Sequence, residues 1–170
     1  MESQHSKEKV VEMEIYTDGS AKTLGRNLSF GGWGFIAVRD CKEVCRDHGG
    51  INNTTNQRME LEAIRQALLY AAANRRKNER VIIYSDSAYA VNCYLKEWYL
   101  NWQSNGWYNS QKKPVANRDL WEQIIPFFDS FWYDFKKVEG HAGVMWNEEC
   151  DRIAQLEAQE RKDNWRGENG

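Results

Sequence analysis

The sequence has no apolar run long enough to cross a bilayer, which sets aside a helical membrane protein. It has no hydrophobic signal core in its opening MESQHSKEKV, so secretion is not expected. It has no C-x-x-C pair. Cys41, Cys45, Cys93 and Cys150 are scattered, which argues against a zinc site or a disulfide framework and for reduced thiols in a cytoplasmic protein. It has no excess of positive charge; the formal net charge is -2, so contact with a polyanion must come from local patches. It also has no internal repeat and no linker. One domain is therefore expected over residues 10–161 of the 170, with flexible tails at 1–9 and 162–170.

What is present is organised around VVEMEIYTDGS, Val10 to Ser20. Val11, Met13 and Ile15 share one face and Val10 and Tyr16 the other, the pattern of a strand buried on most of its surface. The run ends in Thr17-Asp18-Gly19-Ser20. A carboxylate at the carboxyl end of a buried strand stands where α/β sheets bind ligands, although an Asp-Gly pair also simply opens turns.

Residues 19–31 read as a loop, Gly32 to Val38 as a second strand, and Cys41 to His48 as a more polar third strand suited to a sheet edge. Together these suggest an antiparallel meander. Gly49 to Thr55 reads as a loop, and a helix is expected from Asn56 to about Asn74. Glu60, Ile64, Ala67 and Ala71 share one face of it, which puts Glu60 at the head of the stripe that packs on the sheet. Glu60 also suits the helix's opening turns electrostatically. Val81-Ile82-Ile83-Tyr84 reads as a central strand with Asp86 at its carboxyl end, followed by a helix from Ser87 to Tyr94. This strand–helix alternation implies a right-handed crossover and parallel pairing. Residues 98–111 carry no formal charge, and five of the eight tryptophans lie between 98 and 132. A helix is expected from Asn117, as N-cap, to Pro126, then a strand from Phe131 to Val138 and a helix from about Asn147 to Arg161.

Four acids thus fall in matching places: Asp18, Glu60, Asp86 and Asp151, the last on a small-residue stripe with Ala154 and Ala158. Gathered at one end of a sheet they would repel unless cations sat among them. Carboxylate oxygens with few imidazoles or thiols suit Mg²⁺ or Mn²⁺. Two such ions can clamp the attacking and leaving oxygens of a phosphodiester displacement.

Beyond this chemistry, several motifs occur together: Y-T-D-G-S at Tyr16 to Ser20, T-T-N-Q-R-M-E-L at Thr54 to Leu61 and S-D-S at Ser85 to Ser87. They are followed by the segment Trp102 to Trp107, K-K-P-V at Lys112 to Val115, G-H-A-G at Gly140 to Gly143 and N-E-x-C-D at Asn147 to Asp151. In this order the sequence resembles type 1 ribonuclease H over roughly residues 11–158. The resemblance implies a mixed α/β fold, with a five-stranded mixed sheet of order 3-2-1-4-5 and helices on both faces. It implies endonucleolytic cleavage of the RNA strand of an RNA·DNA hybrid by a monomer with two Mg²⁺ ions, which Mn²⁺ can replace. Asp18, Glu60, Asp86 and Asp151 would be the metal ligands, with Glu148 near the second ion unless it is an ordinary helix glutamate. His141 would shuttle a proton at the leaving group. Asn56 and Gln57 would read the minor groove and the 2′-hydroxyls, although Asn56 could also cap its helix. Thr55 and Asn117 would grip a DNA-strand phosphate, and Trp98, with Lys112 and Lys113, would lie along that strand.

Two stretches depart from the family pattern. The segment after D-G-S, AKTLGRNLSFGG, is longer and lacks proline; Asn27 is its candidate for an RNA contact. The protrusion around 94–113 keeps its tryptophans but has only Lys96, Lys112 and Lys113 as cations, which implies a weak grip on phosphates. Other nucleases of the same superfamily, and a catalytically dead binding module, are the competing readings. The T-N-Q-R-M-E and G-H-A-G segments argue against the former and the four acids against the latter.

Overall fold

The computed structural model describes residues 10–138 and 141–169, with side chains except those of 141–144. Five strands, β1 (Val11–Thr23), β2 (Ser29–Arg39), β3 (Lys42–Asn52), β4 (Glu79–Ser85) and β5 (Tyr133–Lys137), form one sheet of order β3-β2-β1-β4-β5. The first three are antiparallel neighbours; β1–β4 and β4–β5 are parallel. The helices are α1 (Asn56–Asn74), α2 (Ala88–Leu95), α3 (Trp98–Asn105), α4 (Arg118–Ile124) and α5 (His141–Asn169). The meander, the polar edge strand and the parallel crossover expected from the sequence are all present.

Side chains alternate across the sheet with the period of two that a strand dictates. Met13 and Ile15 of β1, Phe35 and Ala37 of β2, and Val81 and Ile83 of β4 meet α1 through Leu61, Ile64, Ala67, Leu68 and Ala71. Tyr16, Ile36 and Val38 point the other way and meet Cys150 and Ile153 of α5. That second layer is thin, and α5 comes close because small residues allow it. Ala154 and Ala158 are fully buried, and a Cβ on Gly32 would stand 2.1 Å from the Ala154 carbonyl oxygen. Glu79 is buried at the start of β4, where Arg39 donates Nε and Nη2 to its two carboxylate oxygens at 2.8 Å each. Burial works to raise the Glu79 pKa, but the Arg39 guanidinium and the Arg76 N–H together outweigh it and hold the carboxyl below its usual range.

Four local expectations are overturned. Residues 19–31 are not a loop: β1 runs to Thr23 and pairs with β2 down to Thr23–Ser29, and the Leu24 N–H bonds to the Leu28 carbonyl at 2.8 Å. Cross-strand bonding outweighs the weak strand propensity of Gly, Ser and Asn there. For the same reason β3 continues through Gly49 and Gly50, which pair with Trp33 and Gly32. Asn117 precedes α4 with φ 62° and ψ 30° and no side-chain cap, because its amide is engaged by α1. Finally, α5 begins at His141 and extends past Arg161 to Asn169, where Trp165 packs on Phe30 with ring centroids 6.1 Å apart. Residues 1–9 and Gly140 lie outside the described residues.

Candidate active site

Strand β1 has different neighbours on its two sides, and this places Asp18. On the β4 side the parallel ladder ends at Tyr16–Tyr84. On the β2 side the antiparallel ladder continues, with Asp18 opposite Gly34. Asp18 is therefore inside a strand, not after it, yet just beyond the carboxyl end of the parallel pair. Asp86 follows the last residue of β4 at that same end. Ser87 then starts α2, its hydroxyl accepting the Ala90 N–H at 3.2 Å, so the chain turns with Asp86 at the mouth of the crevice.

Glu60 arrives from α1. Thr55 caps that helix, its hydroxyl accepting the Arg58 N–H at 3.1 Å, and Met59 and Leu61 anchor the second turn in the core. The helix can press onto β1 only because residue 19 has no side chain. A Cβ there would stand 2.1 Å from the Met59 carbonyl carbon and 2.3 Å from the Glu60 nitrogen. These are backbone atoms, which cannot step aside as a side chain can. Gly19, passed over in the sequence apart from its place in the turn, thus sets the approach of Glu60 to Asp18. One oxygen from each of Asp18, Glu60 and Asp86 lies within 4.8 Å of the others.

Three carboxylates this close disturb one another. Asp18 is only 5 % exposed, and burial, with Asp86 and Asp151 nearby, pushes its pKa up to about 8 against the single Gly19 N–H that favours its charged form. Burial and then Asp86 raise Glu60, while the Ser87 hydroxyl pulls it down. Asp86 is raised by desolvation of its carboxylate and by Asp151, against Lys137. Asp86 is exposed, so desolvation weighs less on it than on Asp18. The donor set is all oxygen, Lys137 offsets the crowded charge only at Asp86, and the oxygens are close enough to share a small ion. These residues fit a hard divalent cation.

Asp151, on α5, stands outside the 4.8 Å grouping but close enough to raise the pKa of both Asp18 and Asp86. Gln155 holds it, donating from Nε2 to Oδ2 at 2.8 Å. Glu148 is exposed on the same helix and also lies outside the grouping. His141 opens α5; its side chain lies outside the described residues.

The residues expected to touch nucleic acid fall in two groups. Asn56 does not cap α1, since Thr55 does; its Oδ1 accepts the Ala21 N–H at 2.6 Å and ties α1 to the extension of β1. Gln57 Oε1 accepts from Asn117 Nδ2 at 3.1 Å, joining α1 to the start of α4. Arg58, which the sequence reading did not single out, bridges Thr55 and Asn117. Its backbone N–H bonds the Thr55 hydroxyl, its guanidinium reaches Asn117 Oδ1 at 3.3 Å, and Asp119 takes Nη2 at 2.7 Å. The signal for it was the arginine within T-N-Q-R-M-E-L. Trp98 packs against Tyr89 with the rings tilted at 49° and centroids 5.7 Å apart, and both line a groove of about 620 Å³ with Trp102, Tyr108, Asn109 and Gln111. No charged residue lines that groove, and Lys112 and Lys113 are exposed beside it in the turn that follows Asn109.

Fold and site together define a class: an α/β protein with a cluster of carboxylates at the carboxyl end of its parallel strands. The RNase H family model matches residues 10–159. Ribonuclease H of Syntrophomonas wolfei is 43% identical over 145 residues, spanning 84% of this chain and 93% of that protein. Ribonuclease H of Nitratidesulfovibrio vulgaris strain Miyazaki F is 42% identical over 150 residues, spanning 88% and 90%. Among solved structures, LC9-RNase H1, described as a type 1 RNase H with the type 2 active-site motif, superposes with a TM-score of 0.68. It is 25% identical, over 89% of this chain and 74% of that one. The foamy viral protease-reverse transcriptase in complex with RNA/DNA hybrid has a TM-score of 0.77 at 20% identity, over 88% of this chain and 20% of that one, a likeness of fold alone. The chain belongs to the ribonuclease H family.

Proposed function

We propose that this protein is an endoribonuclease that hydrolyses the RNA strand of RNA·DNA hybrids, leaving 3′-hydroxyl and 5′-phosphate ends. The observation that carries this is the convergence of Asp18, Glu60 and Asp86 within 4.8 Å, in a member of the ribonuclease H family. Asp18, Glu60 and Asp86, with Asp151 alongside, would hold two Mg²⁺ ions, for which Mn²⁺ can substitute. Such ions supply charge stabilisation at the scissile phosphate and an activated water. Asp18 is the most buried member of the cluster, and both Asp86 and Asp151 act on it. Glu148 would adjoin the second ion, and His141 would carry a proton to the departing 3′-oxygen.

On the substrate side, Asn56 and Gln57 would read the minor groove and the 2′-hydroxyls, the groups that separate RNA from DNA. Thr55 and Asn117, braced by Arg58, would take a DNA-strand phosphate. The Trp98 groove would receive the deoxyribose face of the same strand, with Lys112 and Lys113 at its rim. The enzyme would act as a monomeric single domain in the cytoplasm; among the described residues no helix is long and apolar enough to cross a membrane. The test is incubation with end-labelled RNA·DNA, RNA·RNA and DNA·DNA duplexes, with and without Mg²⁺. Cleavage confined to the RNA of the hybrid and dependent on the metal is expected. Equal cleavage of DNA·DNA, or activity in chelator, would refute the reading.

A further inference from the structure

The polar side chains that join α1 to the start of α4 form a chain of hydrogen bonds whose direction is fixed at one end. A guanidinium only donates. Arg58 gives Nη1 and Nη2 to the two carboxylate oxygens of Asp119 at 2.9 and 2.7 Å, and its Nη1 also reaches Asn117 Oδ1 at 3.3 Å. Asn117 must therefore turn its oxygen toward Arg58 and its Nδ2 away. That Nδ2 donates to Gln57 Oε1 at 3.1 Å. With its carbonyl taken, Gln57 is left with Nε2, a pure donor that has no protein partner among the described residues. Reversing either amide would set oxygen against oxygen or N–H against N–H. Gln57 and Arg58 are neighbours in a helix and point apart, so Asn117, sixty positions from Gln57, is what connects them.

We infer that Arg58 is a positioning residue that fixes Gln57 as a hydrogen-bond donor toward the minor groove, and that this polarity makes the reading of the hybrid indifferent to base sequence. The inference rests on the proposed placement of Gln57 against a hybrid. In the minor groove every base pair offers an acceptor, whereas only a G·C pair adds a donor, the guanine N2 amino group. The oxygen of a 2′-hydroxyl also accepts. A donor at position 57 thus finds a partner at any base pair and on the ribose. An acceptor there would single out guanine. Asp119 keeps the head of the chain in place, because the Arg58 guanidinium holds its carboxyl below the usual range and so keeps it charged near neutral pH.

The test compares hybrids made with guanine and with hypoxanthine, which lacks the N2 amino group, by their affinity in Ca²⁺ and their KM in Mg²⁺. The readout is the guanine-to-hypoxanthine ratio of each variant relative to wild type, which cancels differences between the two duplexes. Asn117→Asp presents oxygen on both sides, so Gln57 must turn Nε2 toward it and show Oε1 to the groove. Aspartate also tolerates the backbone at 117, where φ is 62°. Its ratio should move toward guanine by about threefold to tenfold, the worth of one net hydrogen bond. Gln57→Glu, an acceptor only, should do the same. Arg58→Met frees both amides to turn over and should move the ratio part of the way; Asp119, left unpaired, is 63% exposed and stays hydrated. Arg58→Lys, again a pure donor, should keep the wild-type ratio. The shifts should appear in KM and leave kcat alone. An unchanged ratio in Asn117→Asp or in Gln57→Glu would overturn the inference, and so would a wild-type ratio in a folded Arg58→Met. Asn117→Asp decides the matter if Arg58→Met does not fold. Failure of the wild type to cleave any hybrid in Mg²⁺ would instead remove the reading on which the inference rests.

Discussion

Replacing Asp18 by Asn removes one charge from the crowded end of the sheet and leaves the shape of the residue unchanged. The Gly19 N–H that bonds Asp18 Oδ1 at 2.8 Å can bond the amide oxygen equally well. The unfolded chain releases the Asp18 proton near 3.8, the folded chain near 8. For an acid whose folded pKa is raised, the folded state is favoured at low pH and loses stability as pH climbs from the unfolded to the folded value. At 1.36 kcal/mol per pH unit over that window, metal-free protein loses at most about 6 kcal/mol by pH 8. Rotation of the carboxylate toward solvent and sharing of the strain with Glu60 and Asp86 reduce this; about 3 kcal/mol is the working figure. In a chain of this size that is about 6–12 °C in melting temperature. Asp18→Asn should therefore melt higher than wild type at pH 8 without metal, and the gap should close toward pH 4. Adding Mg²⁺ at pH 8 should raise the wild-type melting temperature and move the variant little, since a ligand stabilises in proportion to its occupancy of the folded state. Cleavage by the variant should nearly vanish. The assay is thermal unfolding by circular dichroism from pH 4 to 8, in EDTA and in Mg²⁺, beside hybrid cleavage. Parallel pH curves for the two proteins, or near wild-type turnover in Mg²⁺, would refute the account of Asp18.

Gly19→Ala puts a methyl against the Met59–Glu60 backbone and should push α1 outward. Turnover should fall at least about tenfold, through weakened Mg²⁺ affinity, with the helical signal retained; unaltered metal dependence would show that the spacing of Glu60 is not critical. His141→Ala should lower kcat by about 10² to 10⁴ with little change in KM; a raised KM at constant kcat would make it a binding residue instead. Gln103→Lys with Ser104→Lys adds cations to the uncharged protrusion, where both positions are exposed and Ser104 lines the aromatic groove. Hybrid binding should tighten and its salt slope steepen by about 0.9 per new contact. Asn105 is better left alone, because its amide bonds both the N–H and the carbonyl of Tyr108. An unchanged slope would mean that this segment does not lie along the nucleic acid.

Much of this protein could be read from its sequence, for local reasons. The alternation of Val11, Met13 and Ile15 marks a strand, buried from Met13 on although Val10 and Val11 are exposed, and Val81 to Tyr84 marks another, because period-two burial is written residue by residue. The extent of α1 could be read from its stripe of Glu60, Ile64, Ala67 and Ala71, whereas its cap proved to be Thr55 and not Asn56. The four acids could be picked out because Asp18 and Asp86 follow apolar runs and Glu60 and Asp151 share helix stripes with buried residues. What local pattern could not decide was long-range. Whether residues 19–31 were loop or hairpin depended on the pairing of β1 with β2 beyond the point where β4 stops. Whether Asn117 capped its own helix depended on Gln57, sixty residues away, claiming its amide. Whether α5 ended at Arg161 depended on Phe30 being there to receive Trp165. The spacing of the carboxylates was decided the same way: Gly19 is glycine in the sequence, but that its missing side chain lets Glu60 reach Asp18 is a fact about a helix packed on a strand. Local burial and capping act between neighbours in the chain, and so they show in the sequence. Close approach and charge crowding act between residues brought together only by the fold.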